Sequence, residues 1–113
     1  MRVWHHRRVR HRRFDLAALA VERVPVPLVL ASLVVARPDG ADDLQWEVVA
    51  RAIDAAPFAE GRYLVDLTTL EGRYLRGEAV LVRSVEGTHV LRGDGPLHGL
   101  DPGELDASAD DRR

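Results

Sequence analysis

Five arginines, Arg7, Arg8, Arg10, Arg12 and Arg13, fall within seven residues near the start of the chain, with His5, His6, His11 and Trp4 among or beside them. Guanidinium groups at this density grip phosphate oxygens, and binding of that kind weakens steeply with salt. Residues 1–14 hold six arginines, three histidines and no acid, whereas the rest of the chain sets ten arginines against eighteen acids. The five arginines are therefore candidate polyanion-binding residues, with a nucleic acid as one partner they would suit. The bland reading is a strand or arm whose exposed face is solvated and neutralised by the acidic remainder. Composition lends it weight: all sixteen basic residues are arginine, and lysine and asparagine are absent. That pattern reflects coding biased toward G and C, as in a GC-rich bacterial genome. Arginine then fills ordinary surface positions too.

The histidines make a poor metal site. Neighbouring side chains in a strand point to opposite faces, and His5 and His11 on one face would stand about 20 Å apart. Cysteine is absent, so thiolate ligands, disulfides and a cysteine nucleophile are all excluded. No metal ligand and no cofactor is nominated. Serine occurs only at 32, 84 and 108, and none lies in a Gly-x-Ser-x-Gly elbow. Carboxylates are numerous but scattered, and Arg92-Gly93-Asp94 reads as turn chemistry. No catalytic residue is nominated, and an enzyme without a recognisable motif is the third functional class.

These side chains must be carried by a chain of 113 residues, the length of one domain. The expected division is a basic strand or arm over 1–14, a globular domain over 15–100 and an acidic, partly disordered tail over 101–113. Phe14 to Arg23, rich in Ala and Leu, predicts a short helix that Val24-Pro25-Val26-Pro27 would end. Leu28 to Ala36 is a nearly continuous apolar run bounded by turns, which predicts a buried strand. Arg37-Pro38-Asp39-Gly40 is a turn, since proline presets φ and glycine accepts φ > 0. Residues 43–56 fit two patterns. As a helix, Trp46, Val49, Ala50 and Ile53 share a face; as a strand, Trp46, Val48 and Ala50 alternate with their neighbours and pair back on Leu28–Ala36.

From Gly61 the pattern is firmer. Glu-Gly recurs at 60/61, 71/72 and 86/87, and glycines at 61, 72, 77, 87, 93 and 95 interrupt the run too often for a helix. A two-residue Glu86-Gly87 loop would set Val85 opposite Thr88 and Arg83 opposite Val90. Asp66-Leu67-Thr68-Thr69 resembles the strand end of STAS-type anti-sigma-antagonist domains, but EGRYLRG follows where that family has an Asp-Ser-Ser/Thr-Gly and a helix. The stretch therefore reads as the polar face of a strand.

The expected fold is mainly β: a small antiparallel β-barrel or sandwich of five to seven strands with at most one or two short helices. The alternative is α+β with 43–56 helical. The expected core is Val26, Leu28, Leu30, Leu33, Val35, Trp46, Val48, Val65, Leu67, Val80, Val82, Val90 and Leu91. The longest apolar stretch, Val24 to Ala36, is too short to span a bilayer, so no membrane partner is expected and the cytoplasm is the expected setting. The leading functional expectation is a non-catalytic binding or assembly module acting on a protein partner or on a second copy of itself, because an apolar run such as Leu28–Ala36 must be covered.

Overall fold

The computed structural model describes residues 9–38, 43–101 and 103–105; of Val9 and Arg10 only the backbone is described. Seven strands account for most of it: β1 (Val9–Val21), β2 (Val24–Pro25), β3 (Leu28–Pro38), β4 (Gln45–Ala52), β5 (Arg62–Thr69), β6 (Tyr74–Val85) and β7 (Thr88–His98). Six of them close into an antiparallel barrel in the order β1-β3-β4-β7-β6-β5, and a β1–β5 pairing completes the circle. β2 is a short appendage on β1. Closure removes most of the free sheet edge that an open meander would present.

β1 makes closure possible by serving two neighbours in turn. Val9–Asp15 pair with β3, and Leu16–Val21 pair with β5. A bulge between Leu16 and Ala18 separates most of the two halves. The extra residue flips the side-chain parity, so that Phe14, Leu16, Leu19 and Val21 all enter the core. The helix predicted over Phe14–Arg23 is thus corrected to a bulged strand. Leu16 and Leu19 are three apart because of the bulge, which imitates helical spacing. The strand also crosses residue 14, so the basic stretch and the globular domain share one element.

The helical alternative for 43–56 is overturned as well. β4 pairs with β3 across the turn, with Val35 opposite Trp46 and Leu33 opposite Val48. Trp46, Val48, Ala50 and Ala52 alternate inward as a strand requires. Asp39 and Gly40 of the turn lie outside the described residues. In the second half, β6 and β7 meet in the expected register, Val85 opposite Thr88 and Arg83 opposite Val90. Glu86 (φ 51°) and Gly87 (φ 85°) supply the two left-handed conformations that this tight hairpin needs.

The core is the barrel interior. Leu33, Val35, Trp46, Val48, Val65, Leu67 and Leu91 are buried as expected, with Val26 and Leu28 packed against them. Leu30, Val80 and Val82 are not core residues. They face outward, Leu30 beside a bulge in β3 and Val80 and Val82 beside Ala79 and Leu81 on the opposite parity of β6. Val90 is half-buried on the outer side of β7. The interior positions that sequence reading passed over include Leu75, Ala79, Leu97, Leu100 and Leu105.

Gly77 and Gly93 lie inside strands, not at turns between them. Both face inward against the Trp46 indole: a Cβ on Gly93 would sit 2.2 Å from Trp46 Cε2, and one on Gly77 would sit 2.7 Å from Cζ2. The indole fills the volume that two missing side chains leave, and its Nε1–H donates to the Gly95 carbonyl at 3.0 Å. Past β7, Asp101 and Glu104 form a capping box, the Asp101 Oδ1 accepting from Gly103 N–H and the Glu104 carboxylate accepting from Asp101 N–H. Arg73 holds Glu104 at 2.7 Å, and Leu105 is buried. The first part of the stretch 101–113 is therefore docked on the barrel. Residues 106–113 lie outside the described residues.

Candidate functional site

The outer surface of a barrel strand alternates with its inner one, and polar residues normally occupy it. On β3, β4, β7 and β6 many of these positions are apolar instead. The register lays them out in rows across four strands. One row runs Val34, Glu47, Arg92, Val80. The next runs Ser32, Val49, Val90, Arg83, with Val82 at the irregularity beside Arg83. The third runs Leu30, Arg51, Thr88, Val85. Leu30 is 57% exposed, Val82 48%, Val85 47%, and Val34 and Val80 39% each, with Val29 beside Leu30 also open.

The sequence makes this face by being apolar on both parities of β3. In Leu28–Ala36 the residues Ala31, Leu33 and Val35 enter the barrel, while Val29, Leu30 and Val34 are left outside. A strand that needed only one buried face would carry polar residues on the other. Each row carries charge: Glu47 and Arg92 pair across β4 and β7 at 3.5 Å near the middle of the first row, Arg83 stands in the second and Arg51 in the third. On the flanks Arg13 pairs with Asp15, and Arg62 with Glu78 and Asp94.

Next to this face, β4 and β7 part company after the Glu47–Arg92 pair and leave a cleft of about 930 Å³. Leu44, Trp46, Leu97 and Leu100 give it an apolar floor, with Asp43 and Gln45 among its polar lining. Among the described residues, no serine, threonine, histidine or tyrosine lines it, and its ionisable groups are Asp43, Glu47 and Arg92.

Of the arginines singled out from the sequence, only Arg12 and Arg13 have described side chains. Arg7 and Arg8 lie outside the described residues, and of Arg10 only the backbone is described. Arg12 lies over the Phe14 ring, its guanidinium carbon 4.6 Å from the ring centre, while Arg13 makes the ion pair with Asp15. Both are thus engaged with near neighbours on β1. Among the described residues no three His, Asp or Glu side chains come together as metal ligands. Nor is any helix of the described chain long and apolar enough to cross a membrane.

Two polar clusters escaped sequence reading. His89 is fully buried, its ring stacked on Phe58 at 3.8 Å and nearly parallel, and its Nδ1 shares a 2.8 Å hydrogen bond with the Ser84 hydroxyl. Ser84 Oγ also accepts the Phe58 backbone N–H, so the segment between β4 and β5 is tied over this end of the barrel. Burial pushes the His89 imidazole below its ordinary value, and Nε2 has no hydrogen-bond partner among the described residues. On the outside of β5 and β6, Asp66 accepts hydrogen bonds from Tyr74 and Arg76. Partial burial works to raise its carboxyl, but those two donors and the Arg76 charge hold it below the usual range. Neither cluster has a sequence motif, because its members meet only through strand pairing.

No family model, no curated protein and no solved structure matches this chain.

Proposed function

We propose that this chain is a non-catalytic assembly module that binds a protein partner through the outer face of β3, β4, β7 and β6. One observation carries the reading: Leu30, Val34, Val80 and Val82 are exposed, and Val49 and Val90 half-buried, at outward positions on four adjacent strands. Scattered exposed apolar residues are normal on a protein surface, but several on neighbouring strands, here interleaved with Glu47, Arg92, Arg51 and Arg83, support an interaction surface. The engagement of Arg12 and Arg13 with their own strand weighs against β1 as the principal recognition element.

The test places a photo-crosslinking residue at Val49, at the centre of the face, and at Glu71, in the turn between β5 and β6, in cells of the source organism. Protein adducts of defined mass from position 49 and none from position 71 are expected. Equal yields from both positions, or no adduct at 49, would sink the reading.

A further inference from the structure

We infer that residues 53–61 form an acid-released strap: a proton taken up at His89 frees Phe58 and uncovers the end of the barrel beneath it, while the barrel strands stay paired. This is independent of what binds the outer surface. Residues 54–60 belong to no strand, and of their side chains Phe58 alone is not exposed. The Phe58 ring lies flat on the His89 imidazole at 3.8 Å, and its N–H donates to Ser84 Oγ at 2.9 Å. Ser84 Oγ in turn shares the 2.8 Å hydrogen bond with His89 Nδ1. Both attachments therefore end on one pair of side chains, which β6 and β7 hold opposite each other. Further links are local: the Tyr63 ring tilts against Phe58, and its hydroxyl donates to the Ala59 carbonyl. Holding a whole loop in place by one half-buried ring leaves little margin against the entropy of releasing it.

A proton at His89 acts on both attachments. In either neutral tautomer one ring nitrogen donates and the other accepts, whereas in the cation both donate. Nδ1–H then faces a serine oxygen that already accepts the Phe58 N–H, and Nε2–H finds no hydrogen-bond partner among the described residues. The charge itself is fully buried against the Phe58 ring. Attraction between a cation and an aromatic face opposes release, but it does not replace the water that burial excludes. Lifting Phe58 away wets one face of the imidazole and breaks no strand pair. Charged residues on the surrounding elements are Arg51 on β4, Asp54 and Glu60 in the strap, Arg62 on β5, Arg83 on β6 and Glu86 in the turn before β7, and all are exposed. The Tyr63 phenol is the other ionisable group beside Phe58. Burial, and no neighbouring charge, is what lowers the proton affinity of His89. The folded chain therefore resists protonation below 6.5 until the strap lets go.

Nuclear magnetic resonance on the full chain tests this, from about pH 8 down to the pH at which the strands melt. Backbone relaxation should show order lost in residues 54–60 at the same midpoint at which the His89 ring titrates, with the amides of β4 and β7 unchanged. His89→Gln keeps a partner for Ser84 and should leave the strap ordered throughout that range. Phe58→Ala should raise the His89 midpoint toward 6.5, because one ring face is then already wet. A strap that stays ordered after His89 has titrated overturns the inference. So does a His89 that stays neutral until the strands melt, or a strap and strands that lose order together. A strap that acid still frees in His89→Gln, or a His89 midpoint that Phe58→Ala leaves where it was, overturns it as well. Should His89→Gln fail to fold, the wild-type midpoints and Phe58→Ala decide the matter.

Discussion

His89 is the residue at which solvent conditions act most directly on the fold. It is fully buried between Phe58, Ser84 and the small inward residues of β4, and burial alone lowers its affinity for a proton. In the unfolded chain an ordinary histidine gains a proton as pH falls through 6.5, while the folded one resists until a lower pH. The unfolded state therefore binds more protons in that window, and stability must decline as pH drops from about 6.5 toward the folded value. Above that window the contribution is flat. Denaturant midpoints measured between pH 7.5 and 5 should fall for the wild type, and His89→Gln, which keeps a group able to reach Ser84, should flatten the slope. An unchanged slope in the variant would assign the acid sensitivity to another group. Asp66 titrates in a separate, lower window, because its hydrogen bonds favour the charged form and are lost only once it is protonated.

At the scale of elements, the β6–β7 hairpin offers the cleanest test of turn chemistry. Glu86 sits at φ 51°, where an L residue is strained unless its side chain can support the left-handed form, and Asn-Gly is the preferred pair for such a loop. Glu86→Asn should stabilise the protein by about 0.5–1 kcal/mol, read as a higher urea midpoint at constant slope. The three Glu-Gly steps made the second half of the chain legible, down to the pairing of Val85 with Thr88. β1 was not legible as one strand, because its bulge puts Leu16 and Leu19 on the same side at a helical interval. The apolar outer surface of β3, β4, β7 and β6 was half legible. That Leu28–Ala36 needs covering is written in its composition, but which residues the barrel covers is a matter of parity, and a run apolar at every position carries no parity signal. Val80 and Val82 were placed in the core for the same reason, since Ala79 and Leu81 on the other parity of β6 are apolar too. His89 with Ser84, and Asp66 with Arg76, depend on cross-strand register and had no local signature.

At the scale of the whole molecule, the barrel interior is built around one large ring. Trp46 takes the space that Gly77 and Gly93 leave open on two neighbouring strands, and the indole N–H finds the Gly95 carbonyl. Gly93→Ala would drive a methyl group into the middle of the indole, and overpacking of this kind costs about 1–3 kcal/mol. A thermal midpoint lowered by several degrees is expected, with Trp46 fluorescence changed because the ring must tilt. A midpoint equal to the wild type would mean that β4 and β7 can separate further at no cost. The cleft beside the tryptophan, formed where those two strands stop pairing, is the place from which such movement would begin.

The sharing of β1 between two neighbours also sets a timetable. Its first half can pair with β3 once Pro38 has left the ribosome, but its second half must wait for β5, which ends some thirty residues further on at Thr69. Between those moments the chain is an open sheet with an idle edge, and β4 stays single-sided until β7 is made. Nascent chains cut short before β7 should therefore be the ones that chaperones hold, and sealing of the barrel should be the slow, late event of synthesis.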